Sequence, residues 1–153
     1  MMMRIEICAA LGLVLVVAGA TAGVKVKQED VPAPAVKTIK DRFAKAEIRF
    51  IDRETKDRYE FAMKEGDRNF DVGVTADGKI LTIKEEVVEG KLPAAVKEAL
   101  FKKFPGAKIV EIEKVVKGDG KDAKTTFELA IKTDKGSQGV AFDSDGKFIG
   151  DAD

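Results

Sequence analysis

The apolar residues of the second half of the chain first recur every four positions. Val96, Leu100 and Phe104 follow Pro93 at this spacing, and Pro105-Gly106 ends the run. A period near 3.6 places such residues on one face of a helix, and proline suits the first helical turn. The pattern therefore predicts an amphipathic helix that begins just after Pro93 and ends before Pro105-Gly106.

Beyond this helix the period of the apolar residues drops to two. Phe127, Leu129 and Ile131 alternate with charged or small residues, and residues 70–74 show the same alternation in the first half. Successive side chains of a strand point to opposite faces, so this pattern indicates strands with one buried face. The fold class predicted is α+β.

The chain repeats itself. Asp77-Gly78-Lys79 and Asp145-Gly146-Lys147 lie 68 residues apart, and earlier apolar positions match at an offset of 61, so the second half carries seven extra residues near 117–123. Two copies are too few for a solenoid. We therefore expect one pseudo-symmetric domain, residues 31–153, built from repeat one (31–88) and repeat two (92–150), each a helix followed by antiparallel strands, with the helices packed on one face of an antiparallel sheet.

The duplicated Asp-Gly-Lys sequence lies between two alternating apolar runs. Gly78 and Gly146 tolerate positive φ, and the aspartate can accept hydrogen bonds from nearby amides, so both copies predict tight hairpin turns. A calcium loop at Asp143-Ser144-Asp145-Gly146 is the alternative. A helix-loop-helix calcium site needs more oxygen ligands and a distal glutamate, which favours the turn.

Four segments of repeat two resemble a known family: Leu92-Pro93-Ala94-Ala95-Val96, residues 104–109, Phe127-Glu128-Leu129 and residues 142–147. Their order is similar to that of the PepSY-like, beta-lactamase-inhibitor-like family of exported bacterial proteins. The first copy departs from it, with Ala44-Lys45 in place of Pro105-Gly106. The resemblance implies tandem units whose helices cover one sheet face. In related inhibitor folds, the open face binds another protein.

The open face can be listed from the strand alternation. Residues that flank buried positions point the other way, and small residues recur among them with charges around them. A platform that admits a partner's loop is one interpretation, and an ordinary solvated sheet face is the other. The candidate partner-binding residues are Glu60, Ala62, Lys64, Gly73, Glu128, Ala130, Lys132 and Ala141, and Asp71 and Gly139 share their face.

The composition of the chain excludes several classes of function. The 153 residues include 27 basic and 27 acidic side chains, so no strong field attracts nucleic acid. The chain has no histidine, one cysteine (Cys8) and two serines (Ser137 and Ser144), which excludes Ser-His and Cys-His nucleophiles. Paired carboxylates such as Glu111 and Glu113 also fit a solvated strand. We expect no enzyme, no catalytic residue, no metal site and no cofactor.

The N-terminus has the layout of an export signal. Arg4 precedes an apolar run from residue 7 to 17, and small residues follow as far as Ala22. We expect cleavage after Ala22, a linker at 23–30 and no membrane span in the mature chain. The function predicted is a periplasmic or secreted, non-enzymatic binding module for another exported or envelope protein. The alternative is an envelope protein that binds a small ligand or ion as a sensor or chaperone-like factor.

The export signal makes a direct prediction about the mature protein. Because signal peptidase cuts after small residues of this kind, protein recovered from its native host should begin near Gly23. N-terminal sequencing by mass spectrometry checks this, and an intact Met1 on the accumulated protein would contradict it.

Overall fold

The computed structural model describes residues 23–152, so the predicted export signal lies outside the described residues. Neither helix in this range is long and apolar enough to cross a bilayer. The elements are β1 (Val24–Val26), α1 (Ala33–Arg42), β2 (Glu47–Thr55), β3 (Arg58–Glu65), β4 (Arg68–Thr75), β5 (Ile80–Glu86), α2 (Ala94–Lys103), β6 (Lys108–Lys117), β7 (Lys124–Thr133), β8 (Gly136–Asp143) and β9 (Phe148–Asp151). Short 3-10 turns cover Gln28–Asp30, Glu89–Lys91 and Gly120–Asp122.

The predicted helix of repeat two is confirmed, and repeat one contains its counterpart. Each helix starts behind a proline, Pro32 or Pro93, whose missing N–H would have no helical partner at this position. Each ends at a phenylalanine whose N–H donates to the carbonyl four residues earlier. Both helices are ten residues long, so the matching sequence pattern gives matching structure.

The strands form one antiparallel sheet in chain order, β1 to β9, so every strand pairs with its sequence neighbours within the described residues. Register shifts occur between Ile48 and Phe50 in β2 and between Ile109 and Glu111 in β6. These positions are 61 residues apart, which is the offset of the sequence repeat. The fold is α+β, and the two halves share their irregularities as well as their regular elements.

Residues 23–30 are not a linker. Val24–Val26 forms the edge strand β1 and pairs with β2, and Gln28–Asp30 forms a 3-10 turn. At an offset of 61, this turn corresponds to Glu89–Lys91, and β1 corresponds to the last residues of β5. Repeat one therefore begins with β1, and β5 ends one repeat and begins the next.

The interior consists of two clusters of buried side chains. Strand residues such as Phe61 and Val72 pack with Ile39 of α1, and Leu129 and Val140 pack with Leu100 of α2. Cross-strand pairing places the strand residues of both clusters on the same face, which we call the core face. One row of paired residues runs from β3 to β6 through Phe61, Val72, Ile83 and Val116. Ile112 lies on the same side of β6 as Val116, and a second row runs from Ile112 to Leu129 and Val140.

Phe104 is less buried than the four-residue period predicts. Leu100 and Val96 are fully buried, whereas Phe104 is only half-buried and packs edge-on against Phe148, with ring centroids 6.2 Å apart. The helix ends at Phe104, so its side chain lies at the margin of the cluster. We therefore expect truncation of Phe104 to cost less than the 3–5 kcal/mol typical of a fully buried phenylalanine.

The duplicated turn lies against the helix of its own repeat. Gly78 has φ +91°, and a Cβ there would lie 2.8 Å from the Pro34 carbonyl oxygen and 2.6 Å from Thr38 Oγ1. Thr38 Oγ1 donates a hydrogen bond to the Gly78 carbonyl at 2.9 Å. In repeat two, Gly146 has φ +84° and approaches the backbone of Ala95 in α2. Glycine is required at both positions for its backbone conformation and for its lack of a side chain.

The second hairpin is confirmed, but the carboxylate that accepts its amide hydrogen bonds is Asp143 and not Asp145 of the Asp-Gly-Lys sequence. The Asp143 carboxylate accepts from the amides of Asp145 and Lys147 at 3.0 and 2.9 Å. This carboxylate oxygen therefore stabilises the hairpin turn by accepting two backbone hydrogen bonds.

The seven extra residues of repeat two connect back to repeat one. Asp119, in the loop between β6 and β7, receives Arg42 of α1 with Nη1 2.6 Å from Oδ1. Arg42 Nη1 also donates a hydrogen bond to Asp119 Oδ2 at 2.7 Å, and this bond lowers the pKa of the Asp119 carboxyl below its usual value. Gly118 N also donates to the Leu81 carbonyl at 2.7 Å. The insertion therefore contacts repeat one through Arg42 of α1 and through Leu81 of β5.

The glycine contacts predict a specific order of stabilities. Gly78→Ala and Gly146→Ala should each lower the free energy of unfolding by about 2 kcal/mol or more, because strain at positive φ adds to a clash with helix backbone. Gly66→Ala is the matched control, since Gly66 has φ +60° with nothing near its Cβ position, and it should cost about 1 kcal/mol. Equal losses in urea unfolding at all three positions would show that the helix contact contributes nothing.

Candidate functional site

The face opposite the core face, here called the outer face, is continuous across both repeats. Cross-strand pairing connects Ala62, Asp71, Lys84, Val115 and Thr126 in one row from β3 to β7. Lys84 is on β5, the strand shared by the two repeats. The outer face therefore offers one surface instead of two separate ones.

A pocket of about 490 Å³ opens on this face between β2 and β6. Its volume falls within the range of about 300–1,000 Å³ that is usual for ligand sites in proteins. We call it the outer-face pocket. It is lined by Arg49, Phe50, Ala62, Met63, Asn69, Phe70, Asp71, Lys84, Glu86, Glu111 and Glu113.

An exposed aromatic side chain lines one side of the outer-face pocket. Phe50 is 47% exposed and pairs across the strands with Ala62. It follows the register shift in β2, which sends Phe50 to the outer face while its neighbour Ile51 stays in the core. Lys25 Nζ lies 4.9 Å from the centre of the Phe50 ring, so this ring already accepts a cation.

The other side is formed mainly by carboxylates. Burial raises the pKa of Glu60, Asp71 and Glu113 above the usual values, and the nearby Lys84 ammonium acts in the opposite direction for all three. The closest of these contacts is Lys84 Nζ to Glu60 Oε2, at 4.0 Å. One lysine thus offsets three half-buried negative charges.

The acidic residues follow the sequence repeat. Asp52 pairs with Glu60 across β2 and β3, and Glu113 pairs with Glu128 across β6 and β7. The two pairs are related by the offsets of 61 and 68 residues. Like charges directly opposite one another destabilise a sheet. Both repeats therefore carry an electrostatic cost on this face.

The predicted open-face residues are distributed unevenly around the pocket. Of the eight candidates, only Ala62 lines it, together with Asp71 from the wider set. Cross-strand pairing puts Glu60 opposite Gly73, Glu128 opposite Ala141, and Lys132 opposite Ser137. The remaining pairs are Lys64 with Asn69 and Ala130 with Gly139.

Three of the predicted residues, Ala62, Gly73 and Ala141, are buried and not exposed to solvent as strand alternation implies. Ala62 is 7% exposed and Ala141 is 8% exposed. Larger neighbours explain the burial of Ala62, since Phe50 and Asp71 lie directly opposite it on the adjacent strands. A bulky substitution at Ala62 would therefore disturb the fold as well as any binding.

The small size of two glycines on this face has an internal cause. A Cβ on Gly139 would lie 2.6 Å from the Ala152 carbonyl oxygen, and one on Gly73 would lie 2.5 Å from Thr82 Oγ1. The Ala152 backbone and the Thr82 side chain already occupy the space that a side chain would take at these positions. The two glycines are not evidence that a partner approaches there.

Phe50 and Lys84 are among the pocket residues that the strand alternation did not identify. The adjacent apolar pair Phe50-Ile51 was the available signal, because two successive apolar residues in a strand must face opposite sides unless a bulge intervenes. For Lys84, the sequence shows a basic residue between Ile83 and Glu85 but not the carboxylates that surround it.

The carboxylates of β6 lie on one side of the strand. Glu111 and Glu113 do share the outer face, as β6 alternation predicts. Among residues 23–152, no group of three or more acidic, histidine or cysteine side chains is placed to hold a metal ion. The arrangement suits recognition of a charged and partly apolar surface.

The raised pKa values predict how stability depends on pH. The folded state takes up protons at a higher pH than the unfolded chain, so stability decreases as the pH rises through the folded pKa values. Lys84→Met removes the opposing charge and should destabilise the protein by about 1 kcal/mol at pH 7, after allowance for solvent screening. At pH 4.5 the loss should be smaller, because more of these carboxyls are then neutral. Lys135→Met, in an exposed turn, is the control for urea unfolding at both pH values. A loss independent of pH would contradict the assignment.

Known structures share this architecture. A protein described as belonging to the DUF2874 family, from Bacteroides uniformis, superposes with a TM-score of 0.69 at 12% identity, covering 80% of this chain and 88% of that one. A BLIP-like protein from Bacteroides fragilis gives 0.63 at 15% identity, with 78% and 84% covered. A protein from Bacteroides eggerthii described as a "putative periplasmic" protein gives 0.67 at 14%, with 80% and 88% covered. At these identities the likeness establishes the fold.

No curated protein matches this sequence. The family described as "Putative beta-lactamase-inhibitor-like, PepSY-like" matches twice, over residues 20–82 and 81–150. The boundary between the two matches falls within β5, where the structure also places it. The chain therefore belongs to the PepSY-like family and contains two copies of its unit.

Proposed function

We propose that this chain is an exported, non-enzymatic binding module that holds another protein on the outer face of its sheet. In this proposal the two helices cover the core face. The support is that Ala35 and Ile39 of α1, and Val96 and Leu100 of α2, belong to the clusters that contain the core-face strand residues. The outer face then remains for a partner.

The observation that carries the proposal is the outer-face pocket with Phe50 at its side. An aromatic side chain that is half in solvent beside a concave surface is typical of protein-binding sites, where aromatic anchors contribute most of the affinity. The pocket takes side chains from β2 to β6 and therefore from both repeats. A partner that occupies it would contact both copies of the unit.

The family and the predicted export signal support the cellular context. The family description contains beta-lactamase-inhibitor-like proteins, and a structural neighbour is described as periplasmic. Residues 7–22 have the layout of an export signal. We therefore place the mature chain in the periplasm or outside the cell, with another exported or envelope protein as its partner.

A steric substitution on the outer face tests the proposal. Ala130 is half-buried there, next to the pocket residue Glu111 on β6, and Ala130→Trp adds bulk without adding charge. Ala94→Trp, at the exposed start of α2, is the matched control. Immobilised wild-type protein and both variants would be incubated with envelope extract from the native host, and the bound proteins quantified by mass spectrometry.

The expected result is one protein that is enriched by wild type and by Ala94→Trp, and reduced by about tenfold or more by Ala130→Trp. Equal melting temperatures would show that the variants fold alike. Retention of the same protein by Ala130→Trp would refute the outer face as the binding surface. Thermal stabilisation of the wild type by a metabolite or ion, with no protein enriched, would favour a small-ligand sensor instead.

A further inference from the structure

The outer-face pocket combines an apolar side with an acidic side. Phe50, Ala62, Met63 and Phe70 form the apolar part, and Asp71, Glu111 and Glu113 are among the residues that form the acidic part. A ligand that satisfies both must pair an apolar stem with a positive group. This requirement is narrower than that of an acidic patch, which any cation could satisfy.

The positive side chains of the pocket already have partners beyond its lining. Arg49 Nη1 lies 3.5 Å from Glu47 Oε1, and Lys84 Nζ lies 4.0 Å from Glu60 Oε2. Neither Glu47 nor Glu60 lines the pocket. The charges of these two cations are therefore partly used outside the space that a ligand would enter.

The negative side chains of the pocket lack such partners. The lining contains four acidic and two basic side chains, so its formal charge is minus two. The acidic residues are Asp71, Glu86, Glu111 and Glu113. Within residues 23–152, none of the four forms an ion pair within 4.0 Å. Asp71 and Glu113 are the half-buried pair among the four, and one lysine, Lys84, offsets both only in part. They gain when a second cation arrives, because part of their hydration is already lost.

We propose that the outer-face pocket receives an arginine side chain from an exposed loop of the partner protein. The proposal rests on the binding role of the outer face given above and specifies the chemistry that the pocket recognises. The aliphatic stem and planar guanidinium lie along Phe50, and the guanidinium donates to Asp71 and Glu113. Arginine fits better than lysine, because its flat, weakly hydrated head group stacks on aromatic rings and donates to two carboxylates at once.

Lys84 has a defined part in this arrangement. Its ammonium acts on the carboxyls of Asp71 and Glu113 and so competes electrostatically with an incoming cation. Removing that charge should therefore strengthen arginine binding, although it weakens the fold. A purely structural role for Lys84 would not produce an increase in affinity.

The test uses a minimal probe, N-acetyl-argininamide, titrated into the ¹⁵N-labelled mature chain and followed by NMR. Saturable shifts should appear at the amides of Phe50, Ala62 and Glu113, with affinity in the millimolar range expected of a single side chain. N-acetyl-citrullinamide has nearly the same shape without the charge and is the matched ligand. It should bind at least about tenfold more weakly.

Three variants complete the test. Glu113→Gln keeps the shape of the side chain and should weaken arginine binding by about threefold to tenfold. Glu98→Gln removes the same charge from the exposed surface of α2 and should leave the affinity unchanged. Lys84→Met should raise the affinity by about threefold or more.

Several outcomes would overturn the inference. These are equal shifts with the citrulline probe, equal weakening by Glu98→Gln and Glu113→Gln, weaker binding by Lys84→Met, or shifts confined to other surfaces.

The inference can fail while the proposed function survives. If Ala130→Trp abolishes partner capture but no arginine probe binds, the outer face binds a partner through other chemistry. If capture is insensitive to Ala130→Trp, the proposed function itself is wrong.

Discussion

Within residues 23–152, each of the helices α1 and α2 packs against a hairpin glycine that has no room for a side chain. Gly78 lies against the first turn of α1, and Gly146 lies against the first turn of α2. The hairpin must turn at that point with positive φ, so conformation and packing impose the same residue. With the turn fixed against the helix, the apolar stripe of the helix faces the strands that precede the turn. The duplicated Asp-Gly-Lys sequence thus preserves a contact between layers as well as a hairpin.

The outer face, in contrast, lowers the stability of the fold, because like charges lie close together on it. Carboxylates pair across strands in both repeats, and the Lys84 ammonium acts on two of them, Glu60 and Glu113, and also on Asp71. Hydrophobic burial on the core face supplies the stability that tolerates this arrangement. Surfaces that lower stability in the free protein are common at binding sites, where a partner removes the strain. Phe50 adds apolar contact area at the same place.

Periodicity was sufficient to predict features that repeat along the chain. The spacing of Val96 and Leu100 gave the helix, and the fixed offsets gave the two copies, because both depend on neighbouring residues. Strand β1 was missed, since three residues are too few to show a period of two. The burial of Ala62 depends on the side chain of Phe50, and the pair of Arg42 with Asp119 joins residues 77 positions apart. Such features follow from tertiary packing, which no local pattern records.

The shared strand β5 has a consequence for how such chains can grow. In repeat two, β9 occupies the place that the first part of β5 occupies in repeat one. β5 then continues, pairs with β6 and starts another unit, whereas β9 stops after four residues. A longer β9 would present the same hydrogen-bonding edge to a third unit. A third unit could pair with such an edge without any change to the interior of the first two.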